Sequence, residues 1–252
     1  MIINFKHIIK PYVANYRPRK LEVQWAKKSD NSWLEDLLPN GFTEPKPSDY
    51  SLKIERYAQL TNQKGPQPIW EGYKQNNKGL PTRCSNDVRT EATIGRFFTY
   101  LVEEKKPNTI VEIGTAFGVS GMYFLAGLNK NNHGKLLTFD PNKVWTDLAR
   151  ENLSKISDRF ELTVGTFEDH IDAKLSKNEC IDIAFIDAIH TKQFVVPQLE
   201  LVLSRAKKGS IIILDDINFS ENMSSCWHEI SLDPRFICSA KLNNRVGLVE
   251  VG

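Results

Sequence analysis

Val111-Glu112-Ile113-Gly114-Thr115-Ala116-Phe117-Gly118-Val119-Ser120-Gly121 is the stretch on which the reading of the fold turns. An apolar run, Thr109-Ile110-Val111, leads into an acid, a glycine-rich turn and then a segment of helical composition. Glycine permits a tight turn and lets a ligand come close to the backbone. The spacing is not that of two familiar phosphate-binding turns. Counting from Gly114, the second and third glycine positions of a G-x-G-x-x-G dinucleotide turn hold Ala116 and Val119. No Gly-Lys-Ser/Thr follows, which excludes a P-loop.

Working outward, the same alternation of apolar run and helical segment repeats. Leu136-Leu137-Thr138-Phe139, Phe160 to Val164, Ile181 to Ile186 and Ile211 to Leu214 read as strands, apolar on both faces. That is expected when helices cover both sides of a parallel sheet. Helical stretches fall at about 119–128, 143–155, 167–175 and 192–205. Upstream, Ile94, Phe97, Phe98, Leu101 and Val102 share one helical face, and Pro107 lies just past the end of that helix. Strand alternating with helix predicts an α/β, doubly wound domain. After a helix near 221–230, Phe236 to Leu242 and Arg245 to Val251 predict an antiparallel hairpin turning on Asn243-Asn244, because Asn tolerates positive φ.

The first 84 residues read differently. Eight of the 12 prolines occur by Pro81, and helical patches such as Ser51 to Leu60 are short. Trp25, Trp33, Trp70 and Tyr73 supply apolar anchors, so residues 1–84 are expected to form a helical and irregular cap on a domain of residues 85–252. The basic cluster Arg17, Arg19, Lys20, Lys27 and Lys28 reads as a solvated face.

Composition narrows the function classes. With 33 basic and 31 acidic residues the formal net charge is +2, far from the basic excess of a nucleic-acid or membrane coat. Cys84, Cys180, Cys226 and Cys238 form no C-x-x-C pair, and no His completes a zinc knuckle. Free thiols, an N-terminus broken by Asn4, Lys6 and His7, and no long apolar run together predict a cytoplasmic protein.

Ligands of open α/β sheets bind beyond the carboxyl ends of the strands. Here four strands end in acids: Glu112, Asp140, Asp187 and the pair Asp215-Asp216. Converging carboxylates repel unless a cation or hydroxyl groups engage them. Asp140 lies 26 residues after Gly114, where a carboxylate can accept from both hydroxyls of a ribose. A nucleoside without a pyrophosphate fits these facts, and S-adenosylmethionine is one.

With these residues in place, the sequence resembles the class I S-adenosylmethionine-dependent methyltransferases. It looks most like the metal-dependent O-methyltransferases typified by catechol and caffeoyl-CoA O-methyltransferases, over about residues 84–251. The resemblance implies a Rossmann-like, seven-stranded, mostly parallel sheet. It implies cofactor contacts at Glu112, Gly114, Thr115, Ala116, Gly118, Ser120, Asp140, Thr166, Phe167 and Asp187. Asp187, Asp215 and Asp216 match the positions that hold Mg²⁺ or another divalent cation, with Asp216 where the family usually has Asn. His190 stands at the position of the family's catalytic Lys, three residues past Asp187, and Asp187 is counted beside it among the catalytic residues. A neutral His can still take a proton from a hydroxyl. The expected acceptor is a hydroxyl of a small molecule, with neither nucleic acid nor membrane as partner and a homodimer left open. Metal-independent transfer to nitrogen or a different oxygen of a small molecule, or cofactor binding without chemistry, are the competing expectations.

Overall fold

A computed structural model describes residues 16–71 and 81–252. Tyr73 and His7, and the N-terminal stretch that contains His7, lie outside the described residues. The central sheet runs through β4 (Thr109–Ile113), β5 (Lys135–Asp140), β6 (Phe160–Val164), β7 (Ile181–Ile186) and β8 (Ala206–Leu214), all parallel. The hairpin of β9 (Phe236–Leu242) and β10 (Val246–Val251) follows, with β10 antiparallel to β8. Asn243 and Asn244 sit at φ 48° and 54°, as the predicted turn requires.

The expected fold class is observed, with one strand more than expected. β1 (Val23–Lys27) pairs antiparallel with β9, so the sheet has eight strands, while β2 (Gln67–Pro68) and β3 (Thr82–Arg83) form a separate antiparallel pair. A short strand of alternating exposure, Val-Gln-Trp-Ala-Lys, was hidden among the prolines of the cap. Its order, β1-β9-β10-β8-β7-β4-β5-β6, reverses direction between β4 and β7. A crevice opens at such a switch point, beyond the carboxyl ends of the two strands.

Alternate side chains of the strands feed two cores. Ile110, Leu136, Ile183, Phe185, Ile211 and Ile213 pack on one face against α4 (Ala92–Lys105), α5 (Val119–Asn131) and α6 (Lys143–Ser154). Val111, Leu137, Ala184, Ile212 and Leu214 pack on the other, where the helices are α7 (Phe167–Lys174), α8 (Lys192–Leu203) and α9 (Glu221–Leu232). Leu34 of α1 (Trp33–Leu37) and Ile54 of α2 (Asp49–Asn62) belong to the first core. The boundary expected at residue 84 therefore crosses a shared sheet and a shared core. Glu250 of β10 fixes the join, accepting from Ser32 Oγ at 2.7 Å and from the Leu34 amide at 2.9 Å. A carboxylate is favoured at the start of a helix because its first amides lack partners.

Candidate active site

The turn after β4 is held from below by a buried polar network. Glu112 is fully buried and accepts from Ser120 Oγ and Thr138 Oγ1, each at 2.6 Å. Thr115 Oγ1 lies 2.6 Å from Thr138 Oγ1. Burial pushes the Glu112 carboxyl up to about 7, against the pull of the two hydroxyls. Gly121 allows this packing, since a Cβ there would lie 2.8 Å from Leu153 and 3.0 Å from the Glu112 carboxylate. Glu112 thus supports the turn from behind and does not face the cleft.

The turn itself runs through three positive φ angles: Gly114 at 99°, Ala116 at 44° and Gly118 at 80°. For Ala116 this conformation costs roughly 1–2 kcal/mol. Its amide is anchored by Asp140, whose Oδ2 accepts from Ala116 N and whose Oδ1 accepts from Asn142 N, each at 2.8 Å. Burial pushes the Asp140 carboxyl up to about 6, and those two amides draw it down in part. At Gly114 a Cβ would lie 2.1 Å from the Asp187 carbonyl oxygen, so only glycine lets the ends of β4 and β7 approach this closely.

A cleft of about 240 Å³, counting its open mouth, lies above the turn. Gly114, Thr115, Ala116, Ser120 and Asp187 line it, as do Val88, Arg89 and Thr90. Val88 ends α3 (Ser85–Val88), Arg89 and Thr90 follow it, and none of the three was among the expected contacts, because nothing in their residue types marks a binding wall. Of the remaining expected residues, Asp140 reaches the cleft through the Ala116 amide. Thr166 is the N-cap of α7, accepting from Asp169 N, and Phe167 is buried with its ring on Phe139. That loop still abuts the end of β5, where Gly165 N donates to the Asp140 carbonyl at 3.1 Å. Turn, helix start and acid fit a cofactor with an amino-acid end and a nucleoside end: α5 begins at the cleft and Asp140 has lone pairs left for hydroxyl donors.

Beside the cleft, Asp187, Asp215, Asp216 and His190 converge. His190 Nε2 is 3.4 Å from Asp216 Oδ2 and 3.8 Å from Asp187 Oδ1. Burial holds the His190 ring below its ordinary pKa, while Asp216 and Asp215 pull it up. Burial, then the charges of Asp215 and Asp216, push Asp187 well above the usual carboxylate range. The Phe219 ring packs 5.3 Å from that of His190 and is largely exposed.

The sequence reading missed Arg245. Its Nε and Nη2 donate to the two oxygens of Asp215 at 3.0 and 2.9 Å, and Nε is 2.9 Å from Asp216 Oδ1. Two of the three acids expected to ligate a metal, Asp215 and Asp216, are therefore engaged by a guanidinium. Among the described residues no three of His, Cys, Asp or Glu are grouped to hold a metal ion. As arranged, the donor set does not fit a divalent cation, which needs carboxylate oxygens free to close in to about 2.0–2.6 Å.

Sheet order, glycine turn and strand-end cleft define the class I methyltransferase fold, and residues 111–217 match a family model described as a methyltransferase domain. The chain is similar to the class I S-adenosylmethionine-dependent methyltransferases, and the relatives it matches include O-methyltransferases. It is 26% identical over 132 residues to a catechol O-methyltransferase of Mycobacterium tuberculosis, covering 52% of this chain and 57% of that protein. The chain thus matches little more than half the length of that relative. In fold it is similar to an O-methyltransferase of Bacillus cereus solved with S-adenosylhomocysteine, at TM-score 0.59 and 22% identity over 86% of this chain and 95% of the other. It is also similar to TomG, an O-methyltransferase of tomaymycin synthesis from Streptomyces achromogenes solved with S-adenosylmethionine, at TM-score 0.60 and 16% identity over 82% and 92%.

Proposed function

We propose that the chain transfers the methyl group of S-adenosylmethionine to a hydroxyl of a small molecule. The observation that carries this reading is the double position of Asp187. It lines the cofactor cleft and also stands 3.8 Å from His190, so cofactor and base share one wall. When bound, the cofactor supplies an electrophilic methyl on a sulfonium; the carbon–sulfur bond breaks as the carbon–oxygen bond forms.

The chain's own residues do the rest. Asp140 accepts from the ribose hydroxyls, while Gly114 to Phe117 give the backbone floor. Ser120 stands at the helix start, where a carboxylate is favoured. His190, kept neutral near pH 7 by its burial, takes the acceptor proton. Asp216 faces Nε2 at 3.4 Å and stabilises the imidazolium that results. Phe219 offers an apolar wall for the acceptor. Holding the two reactants in line accounts for most of the rate gain. For Mg²⁺ or another divalent cation, both oxygens of Asp215 and one of Asp216 are already committed to Arg245.

Calorimetric titration with S-adenosylhomocysteine, followed by methyl transfer from labelled cofactor to a panel of phenols, catechols, aliphatic alcohols and amines, tests the reading. Absence of S-adenosylhomocysteine binding sinks it. Transfer to amines alone supports nitrogen as the acceptor, and binding without transfer supports a non-catalytic binder.

A further inference from the structure

Arg245 immediately precedes β10, at the carboxyl ends of the parallel strands. Gly247 stands opposite Leu214, and the antiparallel register carried back two residues puts Arg245 opposite Asp216. The hairpin thus delivers a cation to the place where the strand-end acids converge. Asp215 is 4% exposed at its side chain and Arg245 31%, so the pair is shielded from water on one side and open on the other. The planar guanidinium donates from two nitrogens to one carboxylate, a geometry that a carboxylate matches closely. Its third short contact, to Asp216 Oδ1, leaves Asp216 Oδ2 turned to His190. Asp216 is held at φ 51°, a conformation non-glycine residues rarely adopt, and the contact to Arg245 supports it there.

We propose that Arg245 is the resident cation of this site, in place of the divalent metal implied by resemblance, and that the chain works without one. Both oxygens of Asp215 and one of Asp216 are committed to nitrogen donors, and a fixed positive charge already offsets the acids. Arg245 is a positioning residue: it sets the Asp216 carboxylate that faces His190. The inference rests on the methyltransferase reading for its catalytic meaning, but its charge-compensation part does not.

The test titrates Mg²⁺, Mn²⁺ and Ca²⁺ into the chelator-treated full chain without substrate, by calorimetry and thermal melting. The wild-type chain should show no saturable heat and no rise in Tm beyond that of equal ionic strength. Arg245→Ala frees both oxygens of Asp215 and one of Asp216 and should gain a saturable, divalent-dependent rise in Tm. Arg245→Lys keeps the charge and should stay indifferent to metal. Saturable one-to-one binding by the wild type that disappears in Asp215→Asn overturns the proposal. So does an Arg245→Ala chain that folds and gains no divalent affinity. If Arg245→Ala does not fold, the wild-type and Arg245→Lys titrations decide. S-adenosylhomocysteine binding measured on the same samples separates the two ideas. Its loss counts against the methyltransferase reading, while the metal titration needs no turnover and still judges Arg245.

Discussion

Ser120 Oγ donates to Glu112 Oε1 at 2.6 Å, tying the first turn of α5 to the last polar residue of β4 beneath the glycine turn. The acid near the end of β4 is therefore a buried strut, and its protonation is linked to the stability of the whole turn.

Glu112 should make stability fall with pH. Its pKa is about 7 in the folded chain and lower when unfolded, so the native state binds more protons between the two values. Below both pKa values the group contributes nothing. Rising pH then favours the unfolded chain, by on the order of 3 kcal/mol once pH passes about 7. Glu112→Gln should remove this slope, so the stability difference between variant and wild type should grow from pH 5 to 7 and then flatten. Denaturant melts across that range measure it; parallel curves would mean that Glu112 does not titrate there.

Asp140 must be ionised to accept from hydroxyl groups, and its folded pKa is about 6. Affinity for S-adenosylhomocysteine should therefore weaken as pH falls through about 6. Asp140→Asn should lose roughly 10- to 100-fold in affinity, the worth of a charged hydrogen-bond acceptor, and its pH profile should be flat. Calorimetry from pH 5 to 8 checks both, and a pH-independent wild type contradicts the assignment.

His190→Ala should lower kcat by roughly 10²- to 10⁴-fold while leaving S-adenosylhomocysteine affinity near that of the wild type. Because burial lowers the wild-type pKa, the rate should fall only on the acid side of the ordinary histidine value. Single-turnover rates against pH provide the measurement. A variant with the wild-type profile would make His190 a bystander.

Glu250 joins the N-terminal region to the last strand. Glu250→Ala leaves Ser32 Oγ and the Leu34 amide without their acceptor and should cost about 2 kcal/mol. A chain beginning at Ser85 goes further: it bares the β9 edge covered by β1 and removes Leu21, Leu34 and Ile54 from the core. It should aggregate, and a soluble monomer with a cooperative melt would show that the regions are separable.

The strands and helices from residue 92 onward were legible because their apolar residues repeat at the period of the element they form. Ile94, Phe97, Phe98, Leu101 and Val102 are all buried, and Asn243-Asn244 makes the turn. The strand-end acids were legible for a similar reason, since topology puts every parallel strand's carboxyl end on one side. β1 was not, because five residues of mixed polarity become a strand only when β9 offers an edge. Glu112 and Phe167 were assigned to the ligand, yet both are buried, because only packing decides which way a side chain turns at a strand end.

The sequence by itself determined the α/β alternation, the glycine turn and the set of acids, all properties of neighbours along the chain. Tertiary structure alone decided which cation those acids meet. Arg245 lies 29 residues beyond Asp216, and only the hairpin's antiparallel register folds that distance back to 2.9 Å. Charge compensation acts through space, so local patterning leaves no trace of it.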